Sequence, residues 1–288
     1  MTDVVLMDGA VGTSLWEKTE NKVPVWQYNM IDRKIVKELA EEYAAAGSEM
    51  VLANTFGANR ISMNKTPYNV TQTVSNAMEI LHEAVDGKVP VSSPTGETVK
   101  TVFPIGPLAT LMEPYGDLSE EDAADMFDEM LRAAKPYRPD FIYIQTFIDL
   151  AMMEVAVKAA SRYDTPILCS MSFEAIGKTI FGNSVQDMID TLKPYEAVKA
   201  VGLNCSIGPD KAVDIMKTFH ELTDMPLVFK PNAGKPSMVD GRPQMQFDIG
   251  TFVKDAVPAL DYGVKYIGGC CGTNAAYIEK LRKGIGRA

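Results

Sequence analysis

Two adjacent cysteines, Cys270 and Cys271, stand among three glycines in the segment KYIGGCCGTN. A glycine-rich backbone can turn sharply enough to aim both sulfurs at one ion. A third cysteine, Cys205, follows an apolar run that ends in Asn204. Three thiolates with an open fourth position are typical of a catalytic zinc site rather than a closed structural one. A vicinal disulfide and unrelated free thiols stay open as alternatives.

The elements that would position these sulfurs alternate along the chain. Helix-like segments separate eight short apolar runs, a pattern typical of parallel strands that are buried on both faces. The pattern predicts one (β/α)8 barrel over residues 1–288, with a doubly wound parallel sheet as the alternative. The runs cover residues 4–8, 49–56, 100–107, 141–147, 166–173, 200–206, 226–233 and 264–271.

Capping residues, prolines and turn residues predict where individual helices end and where a hairpin is inserted into the barrel. A helix should begin at the Asp32 cap and end at Gly47, and Pro258 should shorten the helix that ends at Gly263. The segment 88–100 contains turn residues between valines and threonines, which indicates a small hairpin insertion. Because this segment precedes the third strand, we expect it on the face of the barrel away from the chemistry.

Polar side chains stand where the predicted strands end. Catalytic residues of such barrels lie at the carboxyl ends of the strands, so these residues should meet at one face. Cys169 lies in the middle of a strand and should be a core thiol, and both histidines lie inside helices. The polar candidates for this face, besides the three cysteines, are Asp8, Asn54, Gln145, Asn204 and Asn232.

The composition of the chain limits the classes of partner that we expect the protein to bind. The net charge of -10 argues against nucleic acid and anionic membranes, which favour clustered Lys and Arg. No run of eighteen apolar residues would span a membrane. The start of the sequence shows no leader pattern, so we expect a cytoplasmic protein with reduced thiols.

Five motifs in order resemble one known family, the zinc-dependent homocysteine S-methyltransferases. The likeness is strongest to the homocysteine-binding barrel of cobalamin-dependent methionine synthase, and it covers nearly the whole chain. The motifs are DGAVGT at 8–13, ANTFGANR at 53–60, GLNCSIGP at 202–209, KPNAGKP at 230–236 and GGCCGT at 268–273.

The resemblance implies a zinc ion held by Cys205, Cys270 and Cys271, with the substrate thiol as fourth ligand. It implies methyl transfer to that thiol, with homocysteine as the acceptor and methionine as the product. Asp8 matches a position that helps hold the substrate's amino group, and Asn232 matches a position near the metal. Asn54, Gln145 and Asn204 are the further candidate substrate contacts at this face.

Two residues depart from the family pattern. Gln145 stands where the family usually has a glutamate, and Lys230 stands where close relatives tend to have an acid. A glutamine can accept a hydrogen bond from an ammonium group but cannot balance its charge. Both changes remove negative charge from the pocket, so a thiol or methylated substrate without an ammonium group competes with homocysteine.

The methyl donor is the second open point. The sequence offers no room for folate or corrinoid domains, so we expect a small sulfonium compound or methylcobalamin on a separate corrinoid protein. Trp16, Trp26 and Tyr28 could line a docking mouth for that partner or simply cover the barrel. The alternative activity is methyl exchange between a different substrate and a corrinoid protein. A binding barrel without catalysis and a homo-oligomer are also left open.

Overall fold

Residues 4–19, 22–91, 93, 96–239 and 242–287 are described by the computed structural model. Within these residues, eight parallel strands form one sheet in the order β1-β10-β7-β6-β5-β4-β3-β2. A parallel bridge between Met7 and Met50 joins the first strand to the second and closes the ring. The strands are β1 (Val5–Leu6), β2 (Met50–Leu52), β3 (Lys100–Ile105), β4 (Phe141–Phe147), β5 (Ile167–Met171), β6 (Val198–Asn204), β7 (Leu227–Lys230) and β10 (Val264–Ile267).

The remaining two strands, β8 (Pro236–Val239) and β9 (Arg242–Met245), pair antiparallel as a separate ribbon. Helices fill the connections between the barrel strands, which confirms the predicted (β/α)8 barrel and rules out the doubly wound sheet. The helices are α1 (Val11–Lys18), α2 (Tyr28–Ile31), α3 (Arg33–Ala46), α4 (Arg60–Met63), α5 (Val70–Val85), α6 (Glu120–Ala134), α7 (Leu150–Ala160), α8 (Val185–Leu192), α9 (Pro209–Leu222), α10 (Ile249–Ala256) and α11 (Ala275–Gly284). Short 3-10 helices cover Val25–Gln27, Lys135–Tyr137 and Val257–Tyr262.

The helix ends follow the local sequence. The Asp32 carboxylate accepts a hydrogen bond from the Ile35 amide at 3.3 Å and caps α3. Gly47 ends that helix with a φ of 105°, as the sequence predicts. Pro258 turns the end of α10 into a 3-10 helix, which stops at Gly263 in the left-handed region.

Two apolar layers hold the barrel together. One fills the interior of the ring and the other lies between the strands and the surrounding helices. Cys169 belongs to the second layer and is fully buried, which confirms it as a core thiol. The interior layer consists of Met7, Met50, Leu52, Val102, Tyr143, Leu168, Ala200, Val228 and Tyr266.

The predicted hairpin at 88–100 cannot be compared in full with the fold. Ser92, Pro94 and Thr95 lie outside the described residues, and the amide of Val99 donates to the carbonyl of Lys88 at 2.9 Å. The insertion therefore stays a prediction.

The ribbon of β8 and β9 was not predicted, and it follows β7 on the same side of the barrel as the cysteines. No helix in the described ranges combines the length and hydrophobicity of a membrane span.

Candidate metal centre

Three cysteine sulfurs meet at the carboxyl ends of the strands. Cys205 directly follows β6, and Cys270 and Cys271 come shortly after β10. Strand β7 lies between these two strands and fixes both segments. The Cys205 amide donates to the Lys230 carbonyl at 3.1 Å, and the Cys270 amide donates to the Pro231 carbonyl at 2.8 Å. Backbone hydrogen bonds to the same neighbouring segment therefore fix the positions of Cys205 and Cys270.

The spacing of the sulfurs suits a tetrahedral metal ion. The Sγ atoms of Cys205 and Cys271 lie 3.8 Å apart, and all three sulfurs lie within 4.8 Å of one another. Zinc–sulfur bonds of about 2.3 Å place two sulfurs of a tetrahedral site roughly 3.8 Å apart. The cluster can thus bind a zinc ion through three thiolates and leave one position for another ligand.

The thiols hold their protons in the metal-free protein. The hydrogen bond with Cys270 lowers the pKa of Cys205, but the bond with Cys271 and burial outweigh it and raise the pKa to about 11. The hydrogen bond with Cys205 raises the pKa of Cys270 to about 12, helped by burial and opposed by Cys271. The bond with Cys205 lowers the pKa of Cys271, whereas Cys270 raises it to about 12. A bound cation must displace these protons.

The backbone around the cluster is strained. Cys205 and Ser206 both have a φ of 64°, and Thr146 has a φ of 65° at a register shift in β4. Residues with side chains rarely adopt this left-handed region, which costs about 1–3 kcal/mol each. Gly272 has a φ of 81° and turns the chain directly after the cysteine pair. The fold holds the cluster in a conformation that isolated segments would not adopt.

Asn204 connects the cysteine cluster to β4 and β5 through hydrogen bonds of its side-chain amide. Its Oδ1 accepts from the Thr146 amide at 2.8 Å and from the Ser170 hydroxyl at 2.6 Å. Its Nδ2 donates to the Thr146 hydroxyl at 2.7 Å and approaches the Cys270 sulfur at 3.8 Å. Asn204 is fully buried and is not among the cavity-lining residues. The predicted substrate contact of Asn204 stays a prediction, and the contacts that the structure gives it are with Thr146, Ser170 and Cys270.

Asp8 is paired inside the protein. The Lys230 ammonium donates to the Asp8 Oδ1 at 2.5 Å and to the Asp8 carbonyl at 2.8 Å. The Leu52 amide donates to the other carboxylate oxygen at 2.8 Å. Asp8 is 0% exposed and Lys230 is 2% exposed, so this ion pair lies out of water. Each carboxylate oxygen of Asp8 therefore accepts a hydrogen bond from a protein group.

A cavity of about 260 Å³ adjoins the three sulfurs. This volume lies just below the usual range of roughly 300–1,000 Å³ for ligand sites and suits a small molecule. Besides the cysteines, the polar side chains in its lining are Thr13, Asn54, Gln145, Thr146 and Lys230, and the remaining wall is mostly apolar. Trp16 lines the cavity and is 40% exposed. Trp26 is buried, which agrees with a covering role.

Asn232 follows the end of β7 by two residues and lies next to the cluster. Its neighbours bond the cysteine pair, because the Cys270 amide donates to the Pro231 carbonyl and the Ala233 amide donates to the Cys271 carbonyl. The buried Oδ1 atom of Asn232 has no hydrogen-bond partner among the described residues. An orphaned amide oxygen beside a metal centre is a suitable weak ligand or second-layer contact.

The sequence analysis names most of the site but misses part of it. The three cysteines, Asn54 and Gln145 line one cavity, whereas Asp8, Asn204 and Asn232 are buried nearby and are not among the residues that line it. The contacts that were not predicted are hydrogen bonds of two threonine hydroxyls with the turn that contains Cys270 and Cys271. Thr13 accepts from the Gly272 amide at 3.1 Å, and the Thr273 hydroxyl donates to the Cys270 carbonyl at 2.7 Å. Both threonines lie within the DGAVGT and GGCCGT motifs, so the motifs already contained the signal.

Fold and site together define a (β/α)8 barrel with a cluster of three thiols at the carboxyl ends of its strands, the face where the catalytic residues of such barrels lie. Residues 5–285 match the family described as homocysteine S-methyltransferase. The chain therefore belongs to the homocysteine S-methyltransferase family of enzymes.

The sequence identity between this chain and its relatives is low. It is 20% identical to a methionine synthase of Mycobacterium leprae (strain TN) over 99% of its own length, but it spans only 24% of that protein. It is 23% identical to homocysteine S-methyltransferase 1 of Brassica oleracea var. italica, with 92% of this chain and 87% of that protein covered. The metallated form of the Escherichia coli homocysteine methyltransferase MmuM has the same fold, with a TM-score of 0.82 at 19% identity over 98% of this chain and 96% of that chain.

Proposed function

We propose that this protein is a zinc-dependent S-methyltransferase whose substrate thiol binds zinc as the fourth ligand. The observation that carries the proposal is the cluster of three cysteine sulfurs within 4.8 Å of one another at the wall of a small cavity. Zinc bound by Cys205, Cys270 and Cys271 would deprotonate a ligand thiol and keep it nucleophilic at neutral pH. Family membership and the metallated form of MmuM support the same reading.

The residues of the chain have separate tasks in this proposal. The three cysteines would hold the metal, and Asn204 and Thr273 orient Cys270 through its sulfur and its carbonyl. Asn232 could hold the metal as a further oxygen ligand, because its buried amide oxygen has no hydrogen-bond partner among the described residues. The apolar walls of the cavity exclude water from the thiolate, which preserves its reactivity. Homocysteine is the acceptor that the sequence predicts, with methionine as the product.

The proposal is tested by the visible spectrum of the cobalt(II)-substituted protein, before and after a thiol is added. Intense thiolate-to-cobalt bands should be present at the start, because three cysteines bind the ion. The bands should grow when homocysteine or a homocysteine-like thiol enters the fourth position. Thiolate bands that no added thiol changes would contradict the proposal and would favour a closed metal site.

A separate corrinoid protein is the second candidate, as the methyl donor. Large apolar side chains are exposed in helix α1 and in the loops that follow β2, β3 and β5, at the same face as the cavity. Exposed apolar patches at a site mouth are typical of protein-docking surfaces. The side chains include Trp16, Phe56, Leu111, Tyr115, Ile176 and Phe181.

The identity of the donor can be tested with two methyl compounds. Zinc-loaded protein and a thiol are supplied with either methylcobalamin or S-methylmethionine, and the methylated thiol is measured. Turnover with methylcobalamin alone would favour the corrinoid donor, and turnover with S-methylmethionine alone would favour the small sulfonium donor. A homo-oligomer and a cytoplasmic location stay predictions from the sequence.

A further inference from the structure

A second cleft lies at the opposite end of the barrel from the cysteines. It has a volume of about 500 Å³ and lies between the segments 135–139 and 162–165, which lead into β4 and β5. The three sulfurs instead lie beyond the carboxyl ends of β6 and β10. The cleft is therefore separate from the metal centre, and its volume is within the usual range of roughly 300–1,000 Å³ for ligand sites.

The floor of this cleft is apolar and belongs to the core of the barrel. Phe103 from β3, Leu131 from α6 and Ile142 from β4 line it, and each of these residues is almost completely buried. Ligand sites are mostly lined by such apolar side chains, with a few charged or polar groups that fix the orientation of the ligand. The floor thus suits the apolar part of a small molecule.

Three cationic side chains line the same cleft, and all three are exposed at its rim. They are Lys135, Arg138 and Arg162. The Lys135 ammonium lies 5.6 Å from the centre of the Tyr163 ring, which also lines the cleft. None of the three cations forms an ion pair with a carboxylate of the described chain. Their charges are therefore free to meet an anion.

The carboxylates of this region do not neutralise the three cations. Asp128 accepts from the Tyr163 hydroxyl at 3.0 Å and pairs with Arg132, and Asp140 accepts from the Thr101 amide at 2.7 Å. Asp164 is the carboxylate in the lining, so three cations and one anion leave an excess of two positive charges. The chain as a whole carries a net charge of -10. A positive cleft in an acidic protein concentrates anions locally.

We propose that this cleft binds a small organic phosphate, with the phosphate group at Arg138 and Arg162 and the apolar body on the floor. A phosphate monoester carries a charge of about −1.5 to −2 at pH 7, which matches the excess of two positive charges, whereas a carboxylate carries one. The planar guanidinium group donates two parallel hydrogen bonds to phosphate oxygens, and a lysine adds a point charge. The inference goes beyond the proposed function, because it concerns a different site.

Calorimetric titration of the zinc-loaded protein with 1-naphthyl phosphate tests the inference. This probe combines a phosphate monoester with an apolar ring system, and 1-naphthol and inorganic phosphate each supply one of the two parts. We expect one molecule of 1-naphthyl phosphate to bind per chain. Each part alone should bind at least about tenfold more weakly, because it keeps only one of the two sets of contacts.

The double variant Arg138→Gln/Arg162→Gln locates the binding site. It should weaken the binding of 1-naphthyl phosphate by at least about tenfold, because both guanidinium groups are lost. Both arginines are exposed, so the fold should be unaffected. Lys217→Gln/Lys254→Gln is the matched control, because it removes two positive charges from exposed positions of α9 and α10 outside the cleft. It should change the Kd by no more than about twofold, since distant surface charges are screened by salt.

Three results would overturn the inference. The first is an absence of binding, or 1-naphthol binding as tightly as its phosphate, which would leave only apolar adsorption. The second is an affinity that the double arginine variant leaves unchanged. The third is competition by saturating homocysteine, which would place the probe in the cavity beside the cysteines. None of these results bears on the zinc–thiol chemistry, which the cobalt spectrum tests separately.

Discussion

Replacing Lys230 by methionine should destabilise the protein by about 3–5 kcal/mol, because it leaves a buried carboxylate without its cation. Lys230 and Asp8 are 2% and 0% exposed, and their charged atoms lie 2.5 Å apart. Methionine is unbranched and fills nearly the same space, so the packing of the aliphatic stem is largely kept. In the variant, the Asp8 carboxylate keeps only the hydrogen bond from the Leu52 amide.

The assay is equilibrium unfolding in urea, on metal-free protein with a reductant, so that zinc binding does not contribute. With an m value of about 3 kcal/mol/M, the expected loss lowers the unfolding midpoint by roughly 1–1.7 M. Lys217→Met is the matched control, since Lys217 lies on an exposed position of α9. It should change the free energy of unfolding by no more than about 0.5 kcal/mol.

A double variant shows whether the loss arises from the unpaired charge. Asp8→Asn combined with Lys230→Met removes both charges and keeps an oxygen that can accept from Leu52. It should recover most of the stability that Lys230→Met loses, because no buried charge remains. A Lys230→Met variant that loses less than about 1 kcal/mol, or a double variant no more stable than the single one, would refute the reasoning.

Three further predictions follow from the site and its supports. Cys270→Ala should lose bound zinc, whereas Cys169→Ala should keep one zinc per chain, measured by elemental analysis after dialysis. Zinc affinity should rise with pH between 6 and 8, because thiols with pKa values of about 11 and 12 are protonated there and up to about three protons must leave. Gly202→Ala should lower the free energy of unfolding by about 1–3 kcal/mol, because the new Cβ would lie 2.0 Å from the Val228 carbonyl oxygen.

Each of these predictions has an outcome that contradicts it. Stoichiometric zinc in Cys270→Ala would remove that cysteine from the ligand set. Calorimetry in two buffers of different ionisation enthalpy counts the protons, and a count near zero would mean that the thiols are already ionised. Gly12→Ala is the control for Gly202→Ala, because its Cβ would meet Val25 at an acceptable 3.4 Å. Equal stabilities of these two alanine variants would contradict the close approach.

Local signals explain what could be predicted from the sequence. The apolar runs and the Asp32 and Gly47 helix ends depend on neighbouring residues, so they indicate the barrel directly. Cys205 and the Cys270–Cys271 pair follow strands, and the barrel brings the ends of its strands to one face. The (β/α)8 fold and the three-sulfur cluster were therefore predicted correctly.

Long-range pairing explains what could not be predicted. Lys230 and Asp8 are 222 positions apart, and nothing local shows that one neutralises the other. The role of Asn204 likewise depends on Thr146 and Ser170, which other strands supply. The β8–β9 ribbon, unlike these long-range contacts, has a local signal in the sequence, because the Asp-Gly pair at 240–241 is typical of a hairpin turn. The prediction of alternating strands and helices did not include this signal.

The most direct test of the central claim is zinc K-edge X-ray absorption on the zinc-loaded protein, with and without homocysteine as the added thiol. The account predicts three sulfur ligands at about 2.3 Å and one lighter ligand in the free protein. On addition of the thiol, the sulfur count should rise to four and the lighter ligand should leave. A count below three, or a count of three that the thiol does not change, would contradict a three-cysteine centre that activates a bound thiol.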